Sequence, residues 1–523
     1  MEKTASSKTK LYAGIIAAIV IVAAAAYFFW PKPQQERVLT ILAANEWVNI
    51  DPSMSYQNEQ ELLANVYDTL VRFNPPGSAQ KLSPALATSW NSSADGLTWT
   101  FYLRKNVKFH DGIEFNATAV KLSIERGINM KAGPSYIWDP VKEITILDAY
   151  TIQFKLKYLV PFPEITSSLY GAWIISPNAT AKDEVWFNAG NEAGTGPYMI
   201  ESYKKGEVIL LKRFNDYWGG WSGWHFDRVM FKVVRDATTR EQMLLAGDGQ
   251  IGGVSNERLA ALSNNSALVI QRDPGYINLM VYLNTKRAPL NNTLVRQAMA
   301  YAFPYKDVVD SIYLGTATQA RGAIPAGMWG HFDDLYQYSF NLTKARALLA
   351  QAGYPNGGFK VVATYTEGAT TWKSLYELYK AKLAEIGIEM EIRAMTASAK
   401  YAMARGDPAT AQDIVTLMWW PTYVTPYDFL FNLFHTESKP IYNLAYWYNS
   451  TFDQLIDSGY EVESTNSTKA LENYRKAQEM LIQEMPVIIP IDQQHISVMR
   501  KEIKGYVYNP AYTNTVFIYD LYM

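Results

Sequence analysis

Three consecutive segments restrict the fold more than anything else in the chain. "FKVVATYT" (Phe359–Thr366) and "IEMEIRAM" (Ile388–Met395) have strand character, and "WKSLYELYKAKLAEIG" (Trp372–Gly387) between them has helical spacing. A strand, a helix and a strand in that order imply a parallel pair, because parallel strands need a crossover connection. The preceding half reads differently. "RVLTILAA" is an entry strand, "QNEQELLANVYDTLVRF" carries Leu and Val at helical spacing, and "YTIQFKLK" and "GEVILLKRF" are further strands. "LTWTFYLRKNVKFHDG" alternates like a hairpin closing on Asp111-Gly112. "NLTKARALLAQAGY" is an amphipathic helix with Asn341 as N-cap and Gly353 as its stop, and "ALENYRKAQEMLIQE" is a helix ended by Pro486 before "VIIPI" returns to strand. The change from hairpins to β-α-β units predicts a mixed α/β (α+β) chain of two lobes, with a boundary near Leu283 to Pro289.

A chain of 523 residues is long enough for two or three domains with sizeable cores. Its formal net charge of −2 lacks the basic excess that nucleic-acid binding demands, so no nucleic-acid partner is expected. The absence of cysteine excludes disulfides, thiolate metal sites, a cysteine nucleophile and a lipidated cysteine anchor. The anomaly is aromatic: 36 tyrosines and 15 tryptophans, residues that suit wet clefts as well as cores.

Lys3, Lys8 and Lys10 precede the uncharged run "LYAGIIAAIVIVAAAAYFFW" (Leu11–Trp30). At 1.5 Å per residue that run spans roughly the 30 Å of a bilayer core. The basic flank should remain cytoplasmic, which places the body outside the membrane. Residues 1–10 are therefore expected to be a cytoplasmic N-terminus, 11–30 a transmembrane anchor or signal segment, and 31–36 a stiff tether. Acceptor sequons at Asn91, Asn116, Asn178, Asn264, Asn291, Asn341, Asn449 and Asn466 agree with an exported, glycosylated body.

Catalytic and cofactor motifs are missing. Gly247–Gly252 matches G-x-G-x-x-G, but a helical stretch precedes it and no convincing helix follows, so it reads as a loop. "GTGPY" (Gly194–Tyr198) reads as a tight turn in which glycine supplies positive φ. His110, His225, His331, His435 and His495 lie far apart without metal spacing, and no G-x-S-x-G elbow occurs. Neither an enzyme, a metal nor a cofactor is expected.

Motifs in order along the body carry a resemblance. "NIDPSMS", "YDTLVRF", "LSPALATSWNSSADGLTWTFYLRKNVKFHDGIEFNATAVKLSIER", "AGTGPYMIESYKKGEVILLKRFNDYWGG", "YLNTKRAPLNNTLVRQAMAYAF" and "LAEIGIEMEI" follow one another. The chain resembles the family 5 extracellular solute-binding proteins, the oligopeptide- and dipeptide-binding components of ABC importers, from about Val38 to its end. The resemblance implies a two-lobed periplasmic-binding-protein-like fold with a ligand cleft between the lobes. Lobe I is then 37–65, 195–282 and 489–523, with 66–194 as its inserted subdomain, and lobe II is 283–488. It implies a monomeric body, permease subunits as partners, and hinge strands near Leu283 and Pro490.

The same resemblance places "MWWPTYVTPYDFLFNLF" (Met418–Phe434) on the lobe II side of the cleft. Peptide-binding members carry an aspartate before the tyrosine of this segment, paired with the peptide α-ammonium; here that position is Thr422, before Tyr423. A buried ammonium without an anion is costly. Either the ligand is an oligopeptide met by another acid, with Glu46 beside Trp47 as the candidate, or it is an oligosaccharide stacked on Trp47, Trp419 and Trp420. The remaining possibility leaves Trp419 and Trp420 as core; Tyr427, Phe429 and Phe434 are expected to be core in any case.

Overall fold

The computed structural model describes residues 36–436 and 441–523, together with Tyr12. The segment 11–30 therefore lies, but for Tyr12, outside the described residues. Among the described residues no helix is long and apolar enough to cross a membrane.

The parallel unit forms as its periodicity predicts. Phe359–Thr366 and Ile388–Met395 pair in parallel over all eight positions, with the helix Thr370–Ala384 between them. Ile414–Trp419 adds a third parallel strand beside Phe359–Thr366. Leu375, Tyr376, Tyr379 and Leu383 form the buried stripe of the helix and join one core with Val361, Ala363, Ile388 and Met390. Asn341 caps Leu342–Gln351 by accepting from the Lys344 N–H, and Gly353 leaves that helix at φ 90°.

These strands continue into one twelve-stranded sheet. Its middle is the long strand Leu268–Leu283, which pairs with Ile414–Trp419 on one side and with Ile491–Arg500 on the other. The ladder between Leu268–Leu283 and Ile491–Arg500 shifts register between Pro274 and Ile277. Gly275 sits in that irregularity, where a Cβ would lie 2.5 Å from the Gln493 carbonyl oxygen, so only glycine fits the approach. Beyond Ile491–Arg500 the sheet runs through Ile251–Gly252 and Val38–Ala43 to the antiparallel strands Arg228–Val233, Val208–Arg213 and Tyr198–Lys204.

A separate four-stranded antiparallel sheet is built from Ala87–Ser92, Thr98–Leu103, Thr151–Leu156 and Val141–Asp148. Together with the helix Ala117–Met130 it encloses a core of its own that includes Phe101, Phe115, Val120, Ile152 and Phe154.

Four local expectations are revised. "QNEQELLANVYDTLVRF" is helical only over Gln60–Leu63, because the carbonyls of Asn65 and Val66 are taken by the N–H groups of Tyr198 and Gly196. In "GTGPY" neither glycine has positive φ; both are glycine because a Cβ on Gly194 or Gly196 would lie 1.9 Å or 2.8 Å from the Val66 carbonyl oxygen. Of "LTWTFYLRKNVKFHDG", only Thr98–Leu103 is strand, and it pairs with the flanking strands; the Asp111-Gly112 turn closes a single bridge, Lys108 to Glu114. Gly247 is the left-handed cap of the helix Ala237–Ala246, and Gly249 and Gly252 pack against Leu42, so this glycine motif serves packing.

The sequons also acquire a second explanation. Asn116, Asn341, Asn449 and Asn466 are helix N-caps whose side chains accept backbone N–H bonds, and asparagine is among the best residues for that position.

Candidate functional site

The segment after Ile414–Trp419 enters the helix Pro426–Phe434 through a Thr425 N-cap and Pro426 in the first turn, a strong local start signal. Tyr427, Phe431 and His435 follow at spacings of four, so they share one face. The next helix, Ser450–Val462, presents Asp457, Tyr460 and Glu461 in the same way. Tyr427 and Tyr460 stack with centroids 3.8 Å apart and rings 2° from parallel. Phe431 continues the column at 4.9 Å, and His435 lies 4.6 Å beyond it. Aromatic pairs of this kind contribute about 0.5–1.5 kcal/mol beyond their buried area, which fixes the two helices against each other.

This column forms one wall of a cavity of about 760 Å³. The facing wall comes from Tyr136, Asp139, Tyr158 and neighbouring residues beside the four-stranded sheet, with Tyr56, Tyr423 and Tyr442 completing the lining. Seven tyrosines, three carboxylates (Asp139, Asp457, Glu461) and His435 are among the lining residues, and none of the described lining residues is a lysine or arginine.

The hydroxyls are largely matched to one another. Tyr56 and Tyr136 are hydrogen-bonded at 2.8 Å, Tyr136 and Thr422 Oγ1 at 2.7 Å, and Tyr423 and Tyr460 at 3.0 Å. Tyr427 donates to Asp457 at 3.1 Å. His435 Nε2 lies 3.5 Å from the other Asp457 oxygen. Burial lowers the His435 pKa, but the hydrogen bond it donates to Asp457 and the charges of Asp453 and Asp457 outweigh it, so the net shift is upward.

Thr422 is held from three directions. Its hydroxyl meets Tyr136, its carbonyl accepts from Ser168 Oγ at 2.7 Å, and its N–H donates to Asp428 at 3.2 Å. Asp428 also accepts from Trp419 Nε1 and Asn432 Nδ2, so three donors are spent on one buried carboxylate. Burial pushes the Asp428 carboxyl up to about 7 even so.

The candidate residues separate into two groups. Tyr423 lines the cavity; Thr422 touches it through Tyr136, and Trp420, half-buried, donates to the Tyr170 hydroxyl behind it. Trp419 is 5% exposed and its indole N–H is committed to Asp428, so it offers no stacking face. Trp47 is 1% exposed and packs edge-on against Phe231 in the core, which removes it as a platform for a sugar ring. Glu46 does not line the cavity; its carboxylate lies 3.5 Å from Arg235. Phe429 and Phe434 are fully buried, whereas Tyr427 belongs to the cavity wall and not to the core alone. The residues that sequence reasoning missed, Tyr56, Tyr136, Asp457 and Tyr460 above all, lie far apart in the chain. The only local signal was the i, i+4 aromatic face at Tyr427, Phe431 and His435.

Comparison with known proteins agrees with this architecture. The chain is 29% identical over 485 residues to the probable D,D-dipeptide-binding periplasmic protein DdpA of Escherichia coli, covering 90% of this chain and 92% of the relative. The dipeptide-binding protein of Escherichia coli is 28% identical over 85% of this chain and 87% of its own length. Among solved structures, the periplasmic binding protein DppA of Helicobacter pylori, in complex with the peptide STSA, superposes with a TM-score of 0.79 at 26% identity, covering 93% of this chain and 98% of that one. The fold is thus the two-lobed periplasmic-binding-protein architecture. The family model described as bacterial extracellular solute-binding proteins, family 5 Middle, matches residues 81–440. By that match over more than half its length, the chain belongs to the family 5 bacterial extracellular solute-binding proteins.

Proposed function

We propose that the chain captures an oligopeptide in the cavity lined by Tyr423, Tyr427 and Tyr460 and delivers it to the permease subunits of an ABC importer. The observation that carries this reading is the cavity itself: its volume of about 760 Å³ falls within the range of small-ligand sites, and its wall is aromatic with a few polar groups. The relatives support the ligand class, since two of them are named for dipeptides and a third was solved with a tetrapeptide bound. The protein acts by binding and not by catalysis. Lobe I (37–65, 195–282 and 489–523, with 66–194 inserted) and lobe II (283–488) close on the ligand about the paired strands Leu268–Leu283 and Ile491–Arg500. The run Leu11–Trp30 tethers this body to the membrane on its extracytoplasmic side, and its sequons are glycosylated there.

The oligosaccharide alternative loses two of its three platforms with the burial of Trp47 and Trp419. Native mass spectrometry of the purified protein, with identification of what it releases, separates the two. Mixed short peptides are expected; recovery of neutral sugars alone overturns the proposal.

A further inference from the structure

We infer that the cavity recognises its ligand through a positively charged group, an ammonium or guanidinium, received by Asp457 and Glu461 across from Asp139. This rests on the cavity being the ligand site, as proposed above, and adds which chemistry it selects.

Three observations converge. Among the described residues the lining holds three carboxylates and one histidine without a lysine or arginine, so these residues carry a formal charge of −3, or −2 with His435 protonated. Asp457 and Glu461 lie four residues apart on the helix Ser450–Val462, hence on one face, and both border the cavity. Most of the neutral groups that would read a sugar are already spent. Five of the seven tyrosine hydroxyls are bonded to each other, to Thr422 or to Asp457. The acceptors left for a ligand are therefore concentrated in the carboxylates. Lys157 donates to the Asp139 backbone carbonyl and so lies near this rim, but it is not part of the lining.

Electrostatics then selects the ligand. A cavity that shuts on three carboxylates, with His435 beside Asp457 as the one counter-charge among its described lining residues, strips their water and leaves negative charge uncompensated, which is unfavourable. A ligand bringing an ammonium or guanidinium restores the balance with charge-assisted hydrogen bonds. The position that carries Thr422 needs no acid of its own, because the charge is supplied from the neighbouring helix.

The test uses the full-length protein and an equimolar library of tetrapeptides, with retained members identified by mass spectrometry. The same library after N-acetylation, and one with every Lys and Arg replaced by norleucine, separate the two sources of the cation, the amino terminus and a basic side chain. The expected result is enrichment of cationic members, falling about tenfold in Asp457→Asn/Glu461→Gln, the loss of a charge-assisted bond. Retention of members that are both N-acetylated and free of Lys and Arg should fall by less than that of the cationic members in that variant. Glu461→Gln alone, at an exposed position, gives the same direction if the double variant folds poorly. Equal retention of cationic and uncharged members by the wild type overturns the inference, as does an unaltered double variant. Spermidine serves as the non-peptide cation. If no peptide is retained but spermidine is, and the variant loses it, the peptide reading fails while the charge rule stands. Retention of neither overturns both.

Discussion

Arg126→Met offers a stringent test of how the cavity's Tyr56 edge is held. Asp51, the acid of "NIDPSMS", is fully buried and accepts both Arg126 terminal nitrogens, at 2.7 and 2.6 Å. Arg126 is 9% exposed and its guanidinium also donates to the Lys182 carbonyl. Asp51 in turn organises the tight turn that leads to Tyr56: its side chain accepts the Ser53 N–H, and its carbonyl accepts those of Met54 and Ser55. Methionine keeps much of the arginine's volume but leaves a buried carboxylate without its cation. Removal of one partner of such a pair costs about 3–5 kcal/mol, more than the remaining Ser53 donation offsets. Urea unfolding followed by tryptophan fluorescence should show a loss of that order, with weaker ligand retention as Tyr56 loses its support. Asp51→Asn/Arg126→Met should recover at least half of the loss, because the uncompensated charge is gone. A loss below about 1 kcal/mol for the single variant, or strict additivity in the cycle, would refute the account.

Gly196→Ala places a Cβ 2.6 Å from the Val66 carbonyl carbon, a backbone atom that cannot move aside, and should destabilise by about 3 kcal/mol in the same assay. Thr422→Asp should not restore an amine anchor; it sets a second carboxylate beside buried Asp428 and should lower stability by roughly 2 kcal/mol without increasing peptide retention. Asp428, held at about 7 in the folded protein, binds its proton more tightly than in the unfolded chain between about pH 4 and pH 7. Its contribution to stability is therefore greatest at the acid end of that window and declines as pH rises through it. Thermal melts should show that slope reduced in Asp428→Asn, though not abolished, because burial also pushes Glu463 and Asp492 up to about 7.

Local order was legible where one segment contains its own signal. The strand-like runs on either side of the helical spacing of Trp372–Gly387 predict the parallel unit, and Asn341 and Gly353 mark a helix at both ends. Legibility failed where a distant backbone decides. The Leu62 to Leu70 stretch has helical spacing, but its carbonyls at Asn65 and Val66 are claimed by residues more than a hundred positions away. The site failed for the same reason. Tyr56, Tyr136 and Tyr427 meet only in three dimensions, and Trp47, a large aromatic beside a family motif, is core. Thr422 marks a missing acid within its own segment, and the acids on the next helix are not visible from there.

The paired strands at the centre of the large sheet restrict how this molecule is able to move. Leu268–Leu283 and Ile491–Arg500 are bonded to each other over nine positions, interrupted only at Pro274–Ile277. Two separate linkers would permit swivelling in any direction. A bonded ribbon resists sliding and shear, so it bends as a single flexure, and its weak point is the irregularity where Gly275 sits against Gln493. For the lobe closure proposed above, opening and shutting would thereby reduce to one soft coordinate, and stiffening those four residues would slow ligand exchange without touching a single residue that lines the cavity.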